Sequence, residues 1–123
     1  MADKDNRNID KDNRELYTYA LLTYGEQFQI NMMVEECSEL IKAIMKLGRT
    51  SVGGIDDGKA RWAVREELAD VQIMLDQMKI VFGETDEIEQ KKLERLADRM
   101  GYPEKAMQGE QMGLADINAD GSE

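Results

Sequence analysis

Four carboxylates in this chain fall into two matched pairs. Glu36 and Glu39 lie in Glu35-Glu36-Cys37-Ser38-Glu39-Leu40, and Glu67 and Asp70 lie in Glu66-Glu67-Leu68-Ala69-Asp70-Val71. Each pair is an acid–x–x–acid pattern inside a strongly helical run. Residues three apart on a helix are neighbours on one face, so each pair presents two carboxylates side by side. Two such helices packed together would present four. A cluster built only of carboxylates suits a hard divalent ion, Mg²⁺ or, as a substitute, Mn²⁺. The chain has no histidine, whereas zinc hydrolase sites and ferritin-like di-iron bundles normally need it.

The residues around the acids repeat the match. Met32, Glu36, Glu39, Ala43, Leu47 and Ala63, Glu67, Asp70, Met74, Met78 advance by the same steps of four, three, four and four residues. Those steps trace one stripe of an α-helix. In both stripes small or apolar residues bracket the acids, where a solvated face would carry Lys, Gln or further Glu. The pattern therefore predicts partly buried carboxylates, and burying an unpaired one is costly. Three outcomes relieve that cost: the acids are protonated, basic side chains pair with them, or a cation binds.

Composition bounds the remainder. At 123 residues the chain is one small domain with a formal net charge of −10. That balance argues against a nucleic-acid polymer as partner, because phosphate contact needs a Lys/Arg surface. No apolar run approaches the roughly 18–20 residues of a membrane span, and Met1-Ala2-Asp3-Lys4-Asp5 is not a signal peptide. The single cysteine, Cys37, excludes an internal disulfide and suits a reducing cytoplasm. Its place on an apolar helix side marks it as a core residue.

Helices must position the acids. The sequence divides into a polar segment over 1–13, a helical domain over 14–102 and an acidic tail over 103–123. Asp-Lys-Asp-Asn-Arg occurs twice in the first part, at 3–7 and 10–14. Periodicity predicts a helix from about Asp12 to Tyr24, with Leu16, Tyr19, Ala20 and Thr23 inward and Gly25 as the stop. A second runs from about Glu26 to Leu47, carrying Ile30, Met33, Val34, Cys37, Leu40, Ile41 and Ile44 at helical spacing, and Gly48 ends it. Residues 48–58 read as a glycine-rich loop without the Gly-Lys-Ser/Thr ending of a P-loop. A third helix starts near Asp57, capped by Asp56, and ends before Gly83. Its core side is Ala60, Ala63, Val64, Glu67, Val71, Met74, Leu75, Met78 and Phe82. A fourth runs from about Asp86 to Met100, with Thr85 as cap, Ile88, Leu93, Leu96 and Met100 inward, and Gly101 with Pro103 as the stop. No strand is expected. In the tail, Asp116-Ile-Asn118-Ala-Asp120-Gly121 opens like a calcium loop but does not reach the acid required at its twelfth position.

Four helices with apolar stripes predict an all-α, four-helix bundle-like fold. The stripes on the second and third helices are wide for a lone small bundle, which predicts a second buried side and a homo-oligomer.

The acid pairs with their flanks resemble the signature of the MazG-like, all-α nucleoside triphosphate pyrophosphatases. The likeness lies in Glu36-Cys-Ser-Glu39, a spacer of 27 residues, and Glu67-Leu-Ala-Asp70. It extends to Tyr24-Gly25-Glu26-Gln27-Phe28-Gln29-Ile30, to the run from Glu35 to Ile44, and to Lys92-Leu93-Glu94-Arg95-Leu96, covering about residues 15–100. The resemblance implies Mg²⁺ held by Glu36, Glu39, Glu67 and Asp70, and cleavage of a nucleoside triphosphate, typically a deoxynucleotide, to the monophosphate and pyrophosphate. It also implies a homodimer or homotetramer with the site between helices and often between subunits.

Under that reading water attacks the α-phosphorus, and catalysis is mainly positioning and charge neutralisation. Glu36 or Glu39 would take the water's proton. Lys46, Arg49, Lys91, Lys92 and Arg95 are candidates to neutralise the leaving pyrophosphate, with Lys92 preferred because family members carry basic residues on this helix. Gln29 either hydrogen-bonds a base edge or packs, and Phe28 and Trp62 either stack on a base or fill core and subunit contacts. Two other classes remain open: a non-catalytic helical protein that binds nucleotide or a partner, and an enzyme of a specialised nucleotide such as phosphoribosyl-ATP.

Overall fold

A computed structural model describes residues 13–52 and 57–109. The doubled N-terminal motif up to residue 12, Asp56 and the calcium-loop-like run lie outside the described residues. The described chain is all-helical, without a strand: α1 Arg14–Tyr24, α2 Glu26–Val52, α3 Gly58–Phe82, α4 Asp86–Met100 and α5 Glu104–Gly109. Among the described residues no helix is long and apolar enough to cross a membrane. The chain divides into two compact units, Met1–Glu84 and Thr85–Glu123.

In the first unit α2 and α3 form the principal packed pair, with α1 against both. Apolar spacing selects the buried face of α3: Ala60, Val71 and Met74 are buried, and Glu67 beside them is half-buried. The inner side of α1 differs from the Leu16/Tyr19 face that spacing suggests, since both of those are exposed. Tyr17, Thr18, Ala20 and Leu21 are half-buried instead. Burial and the nearby Asp76 carboxylate of α3 push the Tyr17 hydroxyl above its usual pKa, which marks Tyr17 as facing α3.

Gly48 does not end α2, which continues to Val52. A helix tolerates one interior glycine at about 1 kcal/mol relative to alanine. The Thr50 hydroxyl, 2.8 Å from the Leu47 carbonyl, bonds back into the same turn. The N-terminus of α3 sits at Asp57, whose carboxylate accepts from Arg61 Nε at 3.1 Å.

In the second unit α4 spans the predicted residues, preceded by Thr85, whose hydroxyl hydrogen-bonds the Glu89 carboxylate. Gly101, at φ +69, closes α4 in the left-handed conformation, with Tyr102 N–H bonded to Ala97 and Gly101 N–H to Asp98. That pairing satisfies two end carbonyls and suits glycine, which has no Cβ to clash there. A further short helix, α5, opens the acidic tail, for which a short element is one of two expectations.

The predicted core is wider than the one formed. Val34, Ile41, Ile44, Leu75 and Phe82 are exposed, and so are Ile88, Leu93, Leu96 and Met100 of α4. The helices that pack on α2 and α3 leave these apolar residues of both uncovered. Met74, at 6 % exposure, is the most buried apolar side chain among the described residues. Met74→Ala is expected to lower unfolding free energy by about 2 kcal/mol, the low end for a buried Met because neighbouring flexible side chains close part of the cavity. Urea denaturation checks it.

Candidate metal centre

The antiparallel seam of α2 and α3 carries the acids. Glu36 comes from α2, and Glu67 and Asp70 come from α3, three residues apart on one face. Each offers a carboxylate oxygen, and the three oxygens lie within 4.8 Å of one another. Glu36 and Glu67 are half-buried and Asp70 is exposed. Partial burial, expected for all four acids, therefore fails at Asp70, which sits toward the open side of the seam.

Glu39, the fourth acid of the sequence pattern, stands outside this triad. It takes the route of basic pairing: Lys42 Nζ, one turn further along α2, lies 3.3 Å from Glu39 Oε1. Its charge still reaches the site, raising the pKa of both Glu36 and Glu67. Among the described residues no such pairing relieves the triad. Among the described ion pairs, Arg14–Glu84, Lys42–Glu39 and Arg61–Asp57, none engages Glu36, Glu67 or Asp70.

The electrostatics follow from this placement. The Glu36 carboxyl is pushed above the usual 4.5, first by loss of solvation and then by Asp70, Glu67, Glu35 and Glu39. Glu67 is pushed up by the same loss of solvation and then by Asp70, Glu39 and Glu66. Both causes disfavour the charged form.

The other sequence-derived residues are distributed elsewhere. Gln29 is buried at 6 % exposure, and its Nε2 donates to Gln77 Oε1 at 2.7 Å. Trp62, 56 % exposed, donates its indole N–H to Glu66. The Arg65 guanidinium lies 4.9 Å from the Trp62 ring centroid, a cation–π contact. Phe28 stacks on Tyr24 with ring centroids 5.8 Å apart. In the second unit Lys92, Arg95, Asp98 and Arg99 line an open depression of about 630 Å³ on α4. Lys92, Arg95 and Arg99 follow steps of three and four residues, which puts three cations on one stripe.

Gln77 and Arg65 are absent from the candidates drawn from sequence. Gln77 carried a legible signal, a polar residue three positions after Met74 on the core face of its helix. Arg65 carried none beyond its spacing from Trp62.

Compared with protein-family models, curated proteins and solved structures, the chain matches none.

The raised pKa values fix the direction of a pH effect in metal-free protein. A carboxyl whose folded pKa lies above its unfolded value binds more protons when folded, so its contribution is fully present below the unfolded pKa and is lost as pH rises through the folded one. Melting temperature is therefore expected to rise as pH falls from 7 towards 5 without divalent ions. Glu67→Gln is expected to raise the melting temperature at pH 7 and to shrink the gain on acidification. Thermal unfolding of both proteins in chelator checks this; an identical acid gain in the two would remove the triad as its source.

Proposed function

We propose that the triad of Glu36, Glu67 and Asp70 holds Mg²⁺, with Mn²⁺ as a substitute, and that the protein is a MazG-like nucleoside triphosphate pyrophosphohydrolase. The observation that carries the reading is the convergence of three of the four signature acids from two helices, with no basic partner in the ion pairs of the described residues. The donor set fits the ion. Carboxylate oxygens are the ligands Mg²⁺ prefers, at about 2.0–2.1 Å, so two oxygens on one ion stand at most about 4.2 Å apart. Oxygens within 4.8 Å reach that separation by a small rotation of glutamate side chains.

When bound, the ion supplies charge neutralisation for the phosphates and acidifies water. The chain's own residues then have separable tasks. Glu36 bridges the hairpin and tethers the site across the seam. Glu67 and Asp70 present a fixed pair on one helix face. Glu39 lies near the triad without joining it and is the carboxylate left to accept a proton from the attacking water. Its Lys42 partner holds it in place from the next turn. Trp62, held by Glu66 and Arg65, offers a ring face for a base.

The same reading carries the bundle-like architecture and a homo-oligomer. What supports the oligomer is the apolar side of α2 and α3 left open in one chain, including Val34, Ile41, Ile44 and Phe82. Large exposed apolar patches mark interaction surfaces. Sedimentation is expected to give a dimer or tetramer, and Ile41→Glu with Ile44→Glu is expected to shift it toward monomer; a wild-type monomer at micromolar concentration would remove this part.

The activity has a direct test. Incubated with the eight common NTPs and dNTPs, the protein is expected to release pyrophosphate and monophosphate only when Mg²⁺ or Mn²⁺ is present. Asp70→Asn is expected to lower the rate by about 100-fold or more, the scale of losing one pre-organised charge-stabilising group. Full activity in that variant would eliminate the triad as the site. No release from any nucleotide, together with no Mg²⁺-dependent rise in melting temperature, would overturn the proposal.

A further inference from the structure

We infer that Gln29 and Gln77 are positioning residues, whose buried amide pair sets the register of α2 against α3 and so brings Glu36 to Glu67 and Asp70. The inference rests on the reading of that triad as a metal site. Gln29 and Gln77, at 6 % and 4 % exposure, are the buried polar side chains of the described residues. They are bonded to each other across the seam at 2.7 Å. The remaining reach of Gln77 Nε2 is internal to α3, toward the Ile73 carbonyl and Met74 Sδ at 3.5 and 3.7 Å.

Spacing links the pair to the acids. Gln29 lies seven residues before Glu36, and Gln77 lies seven residues after Asp70. On antiparallel helices those are equal displacements along one seam. Seven residues are close to two turns, so the pair and the acids share a face. Apolar packing alone does not set this alignment. Burial of Ala60, Val71 and Met74 is non-directional, and methionine refills altered gaps. A slip of one turn moves one helix about 5.4 Å past the other. That exceeds the 4.8 Å within which the three carboxylate oxygens lie, so the triad would come apart while much of the apolar contact survived. The same slip would strand two buried amides, each then unsatisfied. A single buried polar pair setting the register of packed helices is the best-attested use of such groups.

The test reads register and metal affinity separately. In a Cys37→Ala background, Ala43→Cys with Ala63→Cys reports the native alignment, these positions lying seven residues beyond the acids on the other side. Ala43→Cys with Lys59→Cys, and Leu47→Cys with Ala63→Cys, report a slip of one turn either way. Disulfide trapping is compared with and without Gln29→Leu/Gln77→Leu, and Mn²⁺ binding is measured by electron paramagnetic resonance of the free ion. The double substitution is expected to leave melting temperature unchanged or higher, to trap the slipped pairs, and to weaken Mn²⁺ binding by about tenfold or more, the range for loss of an outer support of a metal site. If the Leu pair does not fold, Gln29→Met/Gln77→Met is put through the same measurements. Native trapping alone, or a slip that leaves Mn²⁺ affinity unchanged, overturns the inference. A wild type that binds no Mn²⁺ while the double variant slips overturns the metal reading and leaves the register role standing.

Discussion

Three carboxylate oxygens held within 4.8 Å of one another repel, and no ion pair of the described residues relieves them. Something else must hold α2 and α3 together at that level. The seam does so with Ala60, Val71 and Met74 and with the Gln29–Gln77 hydrogen bond. Glu36 and Glu67 register the conflict in their raised pKa values. Natural proteins place such locally unfavourable groups where function requires them and compensate elsewhere. Here the compensation lies on the same seam, about two turns from the acids.

The sequence made the helices legible because the period of apolar residues and the glycines at 25, 83 and 101 are local signals. It also made the acid pairs legible, since steps of three and four residues define a face. It could not separate Glu39 from the other three acids. That separation depends on Lys42, whose rotamer reaches back to Glu39, and a Lys three residues along a helix can equally point to solvent. Gly48 misled for a related reason: a glycine marks the end of a helix only when the next turn lacks other support, and here Thr50 supplies some. Gln29 attracted attention for its nearness to the Glu36 stripe. Spacing places Gln77 on the core face of α3, but its pairing with Gln29, 48 residues away, is a tertiary fact that local spacing does not carry.

The apolar stripes show the limit of periodicity most clearly. Spacing identifies which residues avoid water, and it identifies no neighbour. Phe82 is 73 % exposed although its position on α3 continues the core stripe. Ile41 and Ile44 stand likewise exposed on a helix where Ile30, Met33, Cys37 and Leu40 are half-buried. A stripe wider than one neighbour can cover fits a chain that finishes its packing on a second copy, which is why the oligomer and the hairpin belong to one proposal.

On that proposal, cation binding and hairpin packing are one equilibrium. Glu67 and Asp70 are three residues apart in sequence and stay close whenever α3 is helical. Glu36 reaches them only when α2 lies on α3 in the native register. An ion that needs all three therefore binds the packed state alone and stabilises it by mass action, with Glu36 supplying the coupling and the α3 pair supplying most of the local charge. Removal of Glu36 and removal of Asp70 are then unlike events. The first leaves a two-acid helix face that still attracts a cation but no longer clamps the seam. The second leaves one carboxylate on each helix, so the clamp across the seam survives with one ligand fewer. The carboxylate from α2 is thus the one that makes the metal a structural part of the hairpin.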